Sequence, residues 1–247
     1  MRDVVEIGMG REARRMYGLG DVDIVPSRRT RSSKEVSTAW QIDAYRMDIP
    51  VMTHPTDAVV SPASAVEFSR LGGLAVLNGE GLWARHADPE AAIAQLREIA
   101  LEDVTGHRAV ARLQELHRAP IDHDLLAAAV TRIRDEGGTV AVRVSPQHAR
   151  ALTPGLVAAG IDMLVVQGTI ISAEHVSGED EPLNLKEFIG GLDVPVIAGG
   201  VVDHKTALHL MRTGAAGVIV GYGGVDGVTT TGQVLGMEVH MATAIAD

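Results

Sequence analysis

Strand–helix alternation predicts an α/β fold for this chain, a TIM (β/α)8-type barrel that is truncated after its sixth strand. Three observations carry that expectation. Six short apolar runs are bounded by turn residues, and most are followed by a stretch with helical spacing. The last three strand–helix units recur at roughly 25–35 residues, the period of (β/α) units. Apolar residues make up 46% of the 247 residues but aromatics only 3%, so the core must be built from Ala, Val, Leu and Ile, which suits parallel strands packed under helices.

The elements follow in order. The first 48 residues have weak periodicity and are expected to wrap the barrel base. The runs Ile49–Thr53 and Leu74–Asn78 read as the first two strands, joined through a helix over Ser61–Gly72. There Ala65, Phe68 and Leu71 share a face, Pro62 opens the first turn and glycines close it. Asp88 caps the next helix with Pro89 at its first position, and Ile93, Leu96 and Ile99 form one apolar stripe. His107–His117 and Asp122–Glu136 read as two more helices, so Arg85–Gly138 is helical throughout and too long for one crossover. Thr139–Val144, Asp162–Gln167, Val194–Gly199 and Ala216–Gly221 complete the strands, alternating with helices over Arg150–Ala159, Leu185–Gly191 and His204–Thr213. Ser177–Pro182, SGEDEP, is an acidic exposed loop. A single domain over residues 1–247 is expected.

Composition excludes several functions. A net charge of −10 argues against nucleic-acid binding, which rests on cationic contacts to phosphates. The Arg28, Arg29, Arg31 group is short and local and reads as a solvated face, with an anion site as the sharper alternative. The chain has no cysteine, which removes disulfides, thiolate catalysis and Cys-based zinc sites. The ten histidines show no HxH or HxxxH ligand spacing, so no metal site is expected. No apolar run approaches the ~20 residues of a membrane helix, and Met1–Gly10 lacks a signal-peptide core. A cytoplasmic location is the expectation.

In a barrel, chemistry sits at the C-terminal strand ends. Those ends read His54-Pro55-Thr56-Asp57, Asn78-Gly79-Glu80, Arg143 and Ser145, Gln167-Gly168-Thr169, Gly199-Gly200, and the loop GYGGVDGVTTTGQVLG at Gly221–Gly236. Gly221, Gly223, Gly224 and Gly227 let the backbone approach a ligand closely, and their amides suit an anion such as a phosphate. Thr229, Thr230 and Thr231 supply hydroxyls beside it. His54 and His175 are acid–base candidates, since histidine titrates near neutrality, although a lone loop histidine is more often structural. Glu80 with Arg85 reads as an ordinary ion pair.

The stretches DVDIVPSRR (Asp21–Arg29), IPVMTHPTDAVVSP (Ile49–Pro62), LNGEGLWARHADP (Leu77–Pro89), VVQGTIISAEHVS (Val165–Ser177), VIAGGVVD (Val196–Asp203) and the glycine loop together resemble the IMP dehydrogenase/GMP reductase family. The likeness is nearest to its bacterial paralogue without CBS domains. It implies a barrel that binds a purine nucleotide, IMP or GMP, with NAD or NADP as cofactor. It also implies a monovalent cation at the glycine loop and a tetrameric homo-oligomer. Carried onto matching positions, it implies substrate contacts from Thr56, Asp57, Gly199, Gly200, Gly221, Gly223, Gly224 and Gly227, with Asp57 on a ribose hydroxyl. It implies cofactor contacts from Gln167, Gly168 and Thr169, and reaction chemistry at Thr229, Thr230 and Thr231. The pattern also departs from the family. The loop nucleophile, a cysteine in the family, aligns with Val228 or Thr229. Thr56 stands at the methionine that contacts the base, and Gln167 stands at the cofactor-side aspartate. The Asp-Gly-Gly phosphate loop of a seventh strand and the closing eighth strand have no counterpart, so the chain by itself is expected to be inactive.

Two classes of function follow. One is an IMP dehydrogenase-like oxidoreductase of GMP biosynthesis transferring hydride between a purine nucleotide and NAD, with GMP reduction as its enzymatic rival. The other is a purine-nucleotide-binding regulatory paralogue without turnover, which the missing thiol favours.

Overall fold

The structure, a computed structural model, describes residues 4–168, 183–221 and 235–247. Two antiparallel hairpins come first: β1 (Val4–Gly8) with β2 (Arg11–Arg14), then β3 (Trp40–Ile42) with β4 (Tyr45–Met47). After them run α1 (Pro62–Arg70), β5 (Val76–Asn78), α2 (Pro89–Glu102), α3 (His107–Leu116), α4 (His123–Asp135), β6 (Ala141–Val144), α5 (Ala149–Ala159) and β7 (Met163–Gln167). The chain continues through α6 (Leu185–Gly190), β8 (Val196–Val201), α7 (His204–Arg212), β9 (Gly217–Val220) and α8 (Met241–Ala246). Strands β5 to β9 form one parallel sheet in sequence order, an arc of a (β/α) barrel.

The helix starts follow from local chemistry. Ser61 and Ser64 form a reciprocal capping box before α1, with Pro62 at a position whose missing N–H costs nothing. Asp88 accepts the Ala91 N–H before α2, Asp122 the Asp124 and Leu125 N–H groups before α4, and Asp203 the Thr206 N–H before α7.

Period-two alternation sorts the strand residues onto two faces. Leu77, Val142, Val144, Leu164, Val166 and Val196 pack under the helices, against Val66 of α1, Leu126, Val130 and Ile133 of α4, and Leu152 and Leu156 of α5. Val76, Ala141, Met163, Val165 and Ile197 point the other way, into the barrel, where Ile42 and Met47 of the second hairpin close over them. Trp40 anchors that hairpin by donating its indole N–H to the Ile49 carbonyl at 2.6 Å. The β3–β4 hairpin thus plugs the N-terminal end of the sheet, as expected for the leading segment. The first hairpin does not: every residue of β1 is exposed.

The expected first strand, Ile49–Thr53, is reduced to a single parallel bridge between Met52 and Leu74. Pro50 has no N–H to give a ladder, and the Thr53 side chain takes the Val76 N–H at 2.9 Å in place of a backbone carbonyl. The Ser177–Pro182 loop lies outside the described residues.

Leu164 is fully buried between two paired strands, whereas Leu101 on α2 is 77% exposed. Leu164→Ala should lower unfolding stability by about 2–5 kcal/mol, and Leu101→Ala by no more than about 0.5 kcal/mol, as read by urea unfolding.

Candidate functional site

Along the inner face the column of side chains changes character. Register places Val76 beside Ala141 and Met163, and one step toward the C-terminal ends it places Asn78 beside Arg143 and Gln167 beside Gly199. The plug of the barrel is apolar and its mouth is polar.

Arg143 organises the mouth. Its Nε and Nη2 both donate to the Gln167 carbonyl, at 3.2 and 2.8 Å, and its Nη1 lies 3.7 Å from Glu80 Oε2. The side chains of Arg143 and Glu80 are only 22% and 14% exposed. The other Glu80 oxygen accepts the Ser145 N–H, and His148 Nδ1 sits 3.1 Å from Glu80 Oε2 and 3.2 Å from Ser145 Oγ. Burial alone would raise the Glu80 carboxyl pKa. The Ser145 amide and hydroxyl, the Arg143 charge and His148 outweigh burial and hold it below the usual carboxylate range.

A second polar group lies beside it. Asp57 presses its carboxylate against Gly81, where an added Cβ would fall 2.2 Å from Oδ1, and Oδ2 accepts the Leu82 N–H at 3.1 Å. Among the described residues Oδ1 is buried without a hydrogen-bond partner. Burial pushes the Asp57 carboxyl above its ordinary value, partly offset by the Leu82 amide, the His117 and Arg85 charges and Asn78. Burial likewise pushes the His117 imidazole down. Arg85 donates Nε to the Glu80 carbonyl at 2.8 Å and Nη1 to the Ala119 carbonyl. The expected Glu80–Arg85 ion pair is therefore corrected: Arg85 binds main-chain oxygens, and the Glu80 carboxylate faces Arg143 and His148.

Of the sequence-predicted positions, Asp57 reaches across to Gly81 and Leu82, and Thr56 is engaged in a local turn. The Thr56 hydroxyl accepts the Ala58 N–H at 3.3 Å and its carbonyl takes the Val59 and Val60 amides. Gln167 faces the mouth, and its side-chain amide meets no hydrogen-bond partner among the described residues. Gly168 gives its N–H to the Gly199 carbonyl at 3.2 Å. Gly199 and Gly200 are joined by a cis peptide, and a Cβ on Gly199 would come within 2.6 Å of Ile219, so glycine is needed there for strand contact. Gly221 has a φ of 90°, donates its N–H to Val201, and has the Met241 methyl where a Cβ would stand. Its amide thus already has an acceptor in the Val201 carbonyl. Thr169, His175, Gly223, Gly224, Gly227, Thr229, Thr230 and Thr231, with the expected cation position, lie outside the described residues. His54, Arg28, Arg29 and Arg31 are exposed. Among the described residues no group of three or more His, Asp or Glu is placed to hold a metal, and no helix is long and apolar enough to cross a membrane.

Sequence reasoning missed the Glu80–Arg143–Ser145–His148 network. Its signal was an arginine at the inward register of an otherwise apolar strand, AVRV, which demands a counter-charge from a neighbouring strand end.

The family model described as IMP dehydrogenase / GMP reductase domain matches residues 17–247. The chain is 70% identical over 244 residues to an uncharacterized oxidoreductase of Mycolicibacterium smegmatis and 69% identical to one of Mycobacterium tuberculosis, covering 99% of this chain in each case. It spans 65% of the length of those relatives. The crystal structure of an IMP dehydrogenase/GMP reductase-like protein from Corynebacterium glutamicum superposes with a TM-score of 0.91 at 57% identity, over 99% of this chain and 63% of that one.

Because the folded-state pKa of Glu80 is depressed, its ionised form stabilises the fold above the unfolded carboxyl value of about 4.3, and that contribution is lost as pH falls toward the folded value. Glu80→Gln should cost about 1–3 kcal/mol at neutral pH. The difference from wild type should shrink steadily below about pH 4.3 in chemical-denaturation curves taken across pH.

Proposed function

The chain belongs to the IMP dehydrogenase / GMP reductase family, and from that premise we propose that its barrel mouth binds a purine nucleotide and supports hydride transfer between that nucleotide and a nicotinamide dinucleotide. The observation that carries the reading is the change from an apolar plug to a polar mouth at Asn78, Arg143 and Gln167, within a domain matched over residues 17–247. The oxidoreductase designation of the mycobacterial relatives supports the reaction class.

A nicotinamide cofactor fits the residues at the end of β7. Gln167 presents an amide, a donor and an acceptor together, that meets no hydrogen-bond partner among the described residues, which suits a ribose hydroxyl or a carboxamide. When bound, the cofactor supplies the hydride acceptor or donor. This chain's residues bind and orient: Arg143 locks the Gln167 backbone, so the Gln167 side chain starts from a fixed point. Asp57 holds the Gly81–Leu82 turn, which carries Glu80 to the rim.

The absence of cysteine separates this chain from a mechanism that needs a thiolate nucleophile, and it favours a second reading, a nucleotide-binding paralogue without turnover. The two are distinguished by mixing the protein with IMP and NAD, or with GMP and NADPH, while following nicotinamide absorbance and, in parallel, calorimetric binding. The enzymatic reading expects an absorbance change dependent on the nucleotide. Binding heat without an absorbance change selects the regulatory reading, and neither signal overturns both. Gln167→Ala should raise the KM for the nicotinamide cofactor about fivefold to tenfold, the loss of one hydrogen bond, and leave nucleotide affinity unchanged in titrations.

A further inference from the structure

His148 opens α5, yet its side chain makes no capping bond to that helix. An Asn, Asp or Ser there would accept a helix N–H. The imidazole turns instead to Glu80 and Ser145. The turn that carries it is fixed: the Ser145 carbonyl accepts the His148 and Ala149 amides at 3.2 and 3.0 Å, and Ser145 Oγ also accepts the His148 amide at 3.4 Å. Glu80 does not need His148 for charge balance, because Arg143 faces the same carboxylate and the Ser145 amide fills its other oxygen. The contact therefore acts on the histidine more than on the glutamate.

An ionised carboxylate only accepts hydrogen bonds, so the nitrogen 3.1 Å from Glu80 Oε2 must carry the proton. Nδ1–H then faces both Glu80 Oε2 and Ser145 Oγ, while the Ser145 hydroxyl is left to donate to Glu80. The closed ring leaves Nε2 of a half-exposed imidazole, at the C-terminal rim of β6, with no hydrogen-bond partner among the described residues. We propose that His148 is a proton-transfer residue of the barrel mouth, with Glu80 as the positioning residue that sets its tautomer. Nε2 takes a proton from an O–H or N–H of the bound substrate and becomes N–H. The imidazolium charge is balanced by Glu80, and the proton passes to solvent through the exposed side of the ring. The catalytic part rests on the proposed function; the tautomer does not.

Long-range proton–nitrogen correlation NMR on the protein reads the tautomer directly. Wild type should show a protonated Nδ1 and a bare Nε2 in neutral His148. Glu80→Gln keeps the shape but places an NH2 group where Oε2 accepts, so the proton should move to Nε2. With IMP and NAD, Glu80→Gln and His148→Ala should each lower kcat about a hundredfold, the lower end of general acid–base contributions, with IMP affinity within twofold of wild type. A wild-type protein with the Nε2–H tautomer overturns the proposal. So does a Glu80→Gln protein whose tautomer flips without loss of turnover. Wild type with the Nδ1–H tautomer but no turnover of either nucleotide overturns the proposed function and leaves the imidazole geometry standing.

Discussion

The register of five parallel strands is the constraint on which the rest of this molecule depends. Because the side-chain period is two, a one-residue slip would carry Leu77, Val142, Leu164 and Val196 from beneath the helices into the barrel and drive Arg143 into the helix layer. Among the described residues no acidic side chain is buried in that layer. The apolar load beneath α1, α4 and α5 therefore fixes where the polar mouth lies. The second hairpin reinforces the choice by seating Ile42 and Met47 on Val76, Ala141, Met163, Val165 and Ile197. The burial that holds the fold also aims Asn78, Arg143 and Gln167.

Glycines near the mouth have packing reasons that precede any ligand. Gly81 makes room for the Asp57 carboxylate, Gly199 lets β8 approach Ile219 of β9, and Gly221 accepts the Met241 methyl while its φ of 90° turns the chain out of β9. A glycine-rich stretch read from sequence as a ligand cradle can thus be partly a record of close backbone approach. At Gly221 the two readings compete for one N–H, and the Val201 carbonyl has it.

What was legible from sequence follows from what has a local signal. Helices with a cap and a proline were legible at their starts, α1 within two residues of both ends and α2 at its first residue, because Ser61, Asp88, Pro62 and Pro89 act through neighbours in the chain. Strands β6 to β8 were legible because both their faces are buried. The two hairpins were not: β1 and β2 bury almost nothing, and β3 and β4 have three residues each, joined at Asp43 in a left-handed conformation that no Asn-Gly or Asp-Gly pair announces. In the candidate site, positions at strand ends could be named but partners could not. Glu80 and Arg85 are five residues apart and invite pairing, yet the partner of Glu80 is on the next strand, 63 positions away, the separation of Arg143 and Glu80. Sequence proximity carries no information about which strand ends meet.

Gln167, Arg143, Glu80 and His148 form a coupled set, which bears on why an amide and not a carboxylate stands at the end of β7. Arg143 reaches the Gln167 carbonyl with two nitrogens and turns its third toward Glu80. A carboxylate at position 167, on the same inner face, would compete for that guanidinium. Glu80 would then keep its desolvation cost with less compensation, its carboxyl pKa would rise, and its hold on the Nδ1 proton of His148 would weaken. An uncharged side chain at 167 leaves the Arg143 guanidinium to the Glu80 carboxylate. Substitutions at these four positions should therefore be non-additive, since each changes the charge or the donor that another relies on.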